Sequence, residues 1–153
     1  MNGARRKAGA PQPEIDVSCD RARIDRVMVH AFLSQQSGWA RGIDRARVDR
    51  SIEGSLCFSA WIGNDQVGFA RVITDAATFA YLCDVFVLPA WRSRGVARVL
   101  MTAVDAHPDL QGLRRFLLFT SDAHGLYSRF GFAPLAHPQR GMERLRADLY
   151  TPV

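Results

Sequence analysis

The run Arg92-Ser93-Arg94-Gly95-Val96-Ala97-Arg98 sets the tightest limit on how this chain can fold, because it joins an apolar strand directly to an amphipathic helix. A helix opens with several backbone N–H groups that have no partner, and its dipole places partial positive charge at the same end. A strand, turn and helix in this order can therefore cradle an anion. Gly95 and Ala97 let a ligand approach the backbone, while Arg92, Arg94 and Arg98 surround it with full charge. On these seven residues alone, a tight turn in an arginine-rich chain explains the pattern as well as phosphate binding does.

The flanking segments favour the phosphate reading. Phe79 to Leu88 is rich in aromatic and β-branched residues, closes at Pro89, and reads as a buried strand interrupted by one carboxylate, Asp84. Beyond the turn, Val96, Val99, Leu100, Ala103 and Val104 fall at helical spacing, and His107-Pro108 ends that helix.

At 153 residues and 48% apolar content, the chain is long enough for one globular domain with its own core. No run of some 18 apolar residues predicts a transmembrane helix. Residues 1–13 carry Arg5-Arg6-Lys7 without an apolar segment, and read as a disordered basic tail ahead of a single domain over 14–153. They do not form a secretory signal, and a mitochondrial-type presequence is the weaker alternative. The net charge of +5 is concentrated there: without those three residues, 17 basic side chains face 15 acidic ones, which argues against a nucleic-acid surface. Cys19, Cys57 and Cys83 are odd in number and widely spaced, and read as small buried hydrophobes of a reducing, cytoplasmic compartment.

The chain shows an ordered α/β pattern. A short strand at Ile15 to Ser18 precedes a helix from about Arg21 to Leu33, with Ile24, Val27, Met28 and Ala31 or Phe32 on its apolar face. A loop carries Ser37-Gly38-Trp39, and a second helix follows from Ile43 to about Ser51 with Asp44 in its first turn. Strands at Ser55–Ile62 and Gln66–Thr74 form a hairpin, and Asp75-Ala76-Ala77 turns into the strand that ends at Leu88. After the central helix come a strand at Leu113–Phe119, a short helix N-capped by Asp122 and stopped by Gly131, and re-entry to the sheet from Phe132 with a final strand near Met142–Leu145. The expectation is an α/β fold: a mixed, mostly antiparallel sheet of six to seven strands flanked by about four helices.

Several chemistries drop out. There is no G-x-x-x-x-G-K-[ST], no G-x-G-x-x-G and no G-x-S-x-G. His30, His107, His124 and His137 lack metal-ligand spacing, so no metal is expected.

About 30 residues after the glycine turn stands Leu126-Tyr127-Ser128-Arg129-Phe130-Gly131-Phe132. Together the two segments resemble the GNAT superfamily of acyl-CoA-dependent N-acetyltransferases, whose hallmark [QR]-x-x-G-x-[GA] is matched by Arg92-x-x-Gly95-x-Ala97, and whose second signature ends a short helix in Gly-Phe. Each motif alone is weak, whereas the pair at this spacing is fairly specific; the likeness covers Ser55 to Phe132.

The resemblance implies a donor and a set of roles. Backbone amides of Arg94, Gly95, Val96, Ala97 and Arg98 would bind the coenzyme A pyrophosphate of acetyl-CoA, with Arg92 at the edge of the loop. Val85, Phe86 and Val87 would contact the pantetheine arm through strand-like hydrogen bonds, one amide acting as an oxyanion donor. Tyr127 would protonate the departing thiolate, its phenol being protonated at neutral pH. Thr120 stands where many relatives place a cofactor-contacting asparagine, a departure from the pattern. The implied activity is direct acetyl transfer to a primary amine of a small molecule or peptide, with a homodimer as the implied assembly.

Each residue also has a plainer reading. Tyr127, between Leu126 and Phe130, suits an ordinary core position. Asp84 within an apolar strand must face a cleft, an arginine or backbone donors: it is a candidate to attract or deprotonate the amine, and equally a paired structural aspartate. Tyr81 and Trp39 are candidates to wall the acceptor pocket, Trp39 suiting a cap on the core equally well. His124 on its short helix reads as structural, and Asp75 as a solvated loop residue. Cys83, in an apolar strand, makes a poor covalent relay. A non-catalytic acyl-CoA-binding sensor or interaction module is the alternative function, and nucleic-acid binding through the Arg5-Arg6-Lys7 tail the more distant one.

Overall fold

Five strands form one sheet in sequence order: β1 (Asp16–Ser18), β2 (Leu56–Ile62), β3 (Asp65–Thr74), β4 (Phe79–Val87) and β5 (Arg115–Leu118). The computed structural model describes residues 11–150, so most of the basic tail expected over 1–13 lies outside the described residues. Neighbouring strands are antiparallel except β4 and β5, which run parallel. A parallel pair needs a crossover, and the helix that follows the glycine turn supplies it. Among the described residues the α-helices are α1 (Arg26–Gln35), α2 (Arg45–Glu53), α3 (Val96–Ala106) and α4 (His124–Ser128).

Helices cover both faces. On one, α3 packs Val96, Leu100, Met101 and Val104 against Phe58, Ala70, Val72 and Leu82. On the other, Val29, Phe32 and Leu33 of α1 and Val48 and Ile52 of α2 gather around Phe69 and Phe86. Phe32 stacks on Phe86 with ring centroids 3.9 Å apart. A Cβ on Gly68 would stand 3.1 Å from side-chain atoms of both Val96 and Leu100, so the glycine sets how closely α3 approaches β3.

The first helix differs from expectation. Asp25 accepts the Met28 N–H at 3.0 Å and caps α1, after a separate 3₁₀ turn at Arg21–Arg23 that Asp20 caps. Of the expected apolar face, Ile24 and Phe32 are buried and Met28 packs against the same core, but Val27 is exposed, and Val29 and Leu33 join the buried stripe beside the sheet aromatics. Asp44 caps α2 as its position predicts, accepting the Arg47 N–H at 2.8 Å. Asp122 caps nothing; Thr120 Oγ1 accepts the Ala123 N–H at 3.0 Å at the start of α4. Helix α4 ends at Ser128 with Arg129 as its C-cap, short of the expected stop; Gly131, at φ +83°, instead turns the chain just beyond it, and the Phe132 N–H returns to the Tyr127 carbonyl. Asp75 is more than a loop residue: one carboxylate oxygen accepts the N–H groups of Ala77, Thr78 and Phe79 and so builds the β3–β4 turn. Cys19 is exposed, unlike the buried Cys57.

The sheet stops at five strands rather than six or seven. No strand forms near Met142–Leu145, and Met142 is 99% exposed. Pro134 and Pro138 cannot donate to a ladder, and residues 133–149 run exposed until Tyr150 meets Arg47 of α2, whose guanidinium lies 5.4 Å from its ring.

Candidate active site

The β4–β5 ladder begins at Phe79–Arg115 and ends at Leu82–Leu118, whereas β4 continues to Val87. Beyond Leu82 the two strands part. On its other side, β4 pairs Cys83 with Arg71 and Phe86 with Phe69, which leaves Asp84 and Val85 together opposite Ala70. This bulge is centred on Asp84, whose φ of +50° is a left-handed conformation that non-glycine residues seldom adopt.

The Asp84 side chain explains how that conformation is held. One carboxylate oxygen accepts the Arg71 Nε–H at 2.8 Å and the other accepts the Trp39 indole N–H at 2.9 Å. Arg71 also donates to Ser55 Oγ at 3.0 Å. Burial works against the Arg71 charge, but the Asp84 carboxylate outweighs it and holds the guanidinium above its usual range. Asp84 thus ties β3 and the α1–α2 loop to the bulge.

Trp39, Tyr81, Asp84, Val85, Thr120 and Tyr127 line one groove of about 420 Å³. Six of the residues singled out in the sequence thus meet in one place. Tyr127 is buried on α4, and that burial, followed by the Asp122 charge, raises its pKa. Burial pushes the Cys83 thiol up to about 12 and the Cys57 thiol up to about 11, which suits neither for nucleophilic work. The Phe86 ring belongs to the core beside Phe32, so only its backbone is left to meet a ligand. His124 borders a separate apolar cleft beside β5.

The glycine turn stands beyond the far end of β4. Ser93 and Gly95 have φ of +61° and +84°, and α3 starts at Gly95 with no side-chain cap, in contrast to the aspartate-capped α1 and α2. Its first amides are thus left for a ligand. Arg92 donates from Nε to the Val87 carbonyl at 3.1 Å, and the Arg94 guanidinium lies 5.1 Å from the Trp91 ring, so both arginines are braced against the scaffold. The turn does not border the groove; β4 from Val85 to Val87, beyond its last pairing with β5, runs between the two, with Val85 and Val87 half-buried.

Sequence reading missed Arg71 and Phe119. Arg71 carried the same signal as Asp84, a single charge inside an apolar strand. Counting back from the hairpin turn sets it opposite Cys83, and only the bulge brings it to Asp84. Phe119 follows directly on β5 and lines the groove.

Among the described residues, no group of three or more His, Cys, Asp or Glu side chains could hold a metal, and no helix is long and apolar enough to cross a membrane. A family profile for the acetyltransferase (GNAT) domain matches residues 53–134, the stretch that holds β2 to β5, the glycine turn and Tyr127. A solved Xanthomonas campestris pv. campestris protein described as belonging to the GNAT family is 55% identical, with TM-score 0.90, over 92% of this chain and 99% of its own. A solved Deinococcus radiodurans protein shares the fold at TM-score 0.70 and 20% identity, over 91% of this chain and 93% of its own. A Gibberella zeae protein with a provisional acetyltransferase name is 29% identical over 74% of this chain and 75% of its own length. The parted strands, the uncapped helix start and these matches converge, and the chain belongs to the GNAT family of acetyltransferases.

Proposed function

We propose that the chain transfers an acetyl group from acetyl-CoA directly to a primary amine. The parting of β4 from β5 carries this reading, because it opens a slot between an uncapped, basic helix start and a groove that holds Tyr127. In this reading the amides from Arg94 to Arg98, edged by Arg92, hold the donor's pyrophosphate. The β4 edge at Val85, Phe86 and Val87 holds its pantetheine arm, with Thr120 on the opposite wall. The donor supplies an activated thioester; the chain supplies position, N–H donors and a proton.

The Val85 amide is assigned to steady the charge that develops on the thioester oxygen. As the amine nitrogen bonds to the acetyl carbon and the carbon–sulfur bond breaks, Tyr127 gives its proton to the sulfur. Its raised pKa keeps that proton in place at neutral pH. An ammonium must lose one proton to expose its lone pair before it attacks. Both Asp84 oxygens are engaged, so that proton leaves to water in the open groove, and Asp84 acts by positioning β4 and Trp39. The second proton, shed by nitrogen on acyl transfer, restores Tyr127 through the same water. No acyl-cysteine is needed.

Cys19, Cys57 and Cys83 are free thiols, which supports a reducing, cytoplasmic compartment. For a macromolecular partner we propose a second copy of the chain. Residues 133–149 hold Leu135, Met142, Leu145 and Leu149 in the open, and β5 ends the sheet with a free edge.

Thiol release from acetyl-CoA, measured against a panel of amines, tests the reaction. Amine-dependent release is expected. Acetyl-CoA binding without it would overturn the reading in favour of a non-catalytic acyl-CoA-binding module.

A further inference from the structure

Resting on the acetyl-transfer reading, we infer that the acceptor is a cationic amine carried on an apolar, ring-bearing body with no acidic group. Position along β4 comes first. A strand advances about 3.3 Å per residue, and the bulged Asp84 adds no step against the partner strand, so Tyr81 lies roughly 10 Å from Val85, on the side away from the glycine turn. A donor laid along Val85–Val87 leaves the Tyr81 end of the groove to the acceptor.

That end is walled by aromatic rings. Trp39 is 55% and Phe119 70% exposed, and Tyr81 meets Phe119 edge-to-face with centroids 6.2 Å apart. Three rings from three separate segments, the α1–α2 loop, β4 and the end of β5, thus border one cavity. Two of them remain largely open to water, where burial against an apolar ligand would be favourable. Their faces also attract a cation.

Charge narrows the choice further. The chain carries 20 lysines and arginines, yet among the described residues none of these, and no histidine, lines this groove. Its carboxylates are Asp84 and Asp122. Arg71 neutralises Asp84 from behind, whereas Asp122 forms no ion pair among the described residues, and its charge is felt at Tyr127. An ammonium group therefore meets a carboxylate and aromatic faces. A carboxylate or phosphate on the acceptor meets Asp122 with no cation to receive it, a like-charge placement that selects against it.

Matched probes that differ by one anionic group test this on the full-length protein. Tyramine is compared with tyrosine, and 2-phenylethylamine with phenylalanine, in the thiol-release assay. We expect kcat/KM for tyramine to exceed that for tyrosine by about tenfold or more. Asp122→Asn should shrink that ratio, chiefly by raising KM for tyramine. Phe119→Ala should weaken tyramine relative to cadaverine, which has the charge without the ring. Tyrosine or phenylalanine used as well as its counterpart without the carboxylate would overturn the inference while leaving acetyl transfer intact. If no amine releases thiol, Trp39 fluorescence still reads the groove: saturable tyramine quenching that is absent in Trp39→Phe supports the inference, and its absence refutes it. Calorimetry with acetyl-CoA reports separately on the donor reading.

Discussion

Asp84 adopts a backbone conformation that costs an ordinary residue about 1–3 kcal/mol, and two donors on its carboxylate offset that cost. The Asp84 and Arg71 side chains are only 10% and 15% exposed, so removing one partner strands a charge with little water around it. Arg71→Met is expected to destabilise the protein by about 3 kcal/mol, read from the urea midpoint. Adding Asp84→Asn should recover part of that loss. A single variant as stable as the parent would show that the pair does not hold the bulge. Tyr127 works differently, through its proton. Tyr127→Phe should lower kcat about 100-fold with acetyl-CoA affinity unchanged. The phenol's pKa is raised, so the acid form is full below the unperturbed value near 10 and is lost only above it. The ratio of the parent rate to that of Tyr127→Phe should hold level across neutral pH, where both rise together as the amine deprotonates, and fall only on the alkaline side; an equally active phenylalanine variant would remove Tyr127 from the mechanism. Asp84 and Trp39 were legible because each breaks or punctuates a local pattern, and Tyr81 because it shares the Asp84 strand, whereas Tyr127 fits its local pattern and stood out only through the family resemblance. The Arg71 partnership was not, since a register shift creates it.

At the scale of elements, the strand, glycine turn and helix came through from sequence almost residue for residue, because Pro89, Gly95 and His107-Pro108 mark its joints chemically. The same holds for the β2–β3 hairpin. Helix α1 was misjudged because two aspartates five residues apart, Asp20 and Asp25, both suit caps, and only the sheet's aromatic residues decide which starts the longer helix. The open amides of α3 should make the turn sensitive to charge. Gly95→Glu has room for a side chain but is strained at φ +84°, and it brings a carboxylate to the proposed pyrophosphate site. Acetyl-CoA binding measured by calorimetry should vanish in this variant while thermal unfolding stays cooperative; undiminished binding would remove the turn from donor recognition.

For the whole molecule, the absent last strand matters most. Alternation near Met142–Leu145 suggests a strand, but pairing needs an edge within reach, and sequence does not record which edges stay free. The exposed stretch 133–149 and the open edge of β5 are two unsatisfied surfaces of one chain. Light scattering of the full-length protein should report a dimer, and Leu145→Asp should shift it toward monomer while far-UV circular dichroism is preserved. A parent that is monomeric at high concentration would refute the pairing. The bulge in β4 has a consequence of its own. Ahead of Asp84, the even-numbered residues Ala80 and Leu82 face α3; beyond it, even-numbered Phe86 faces α1. The extra residue acts as a frameshift in the inside–outside code of the strand. Deleting it would leave every other residue unchanged, yet it would turn the Phe86 ring away from Phe32 and toward the α3 face of the sheet.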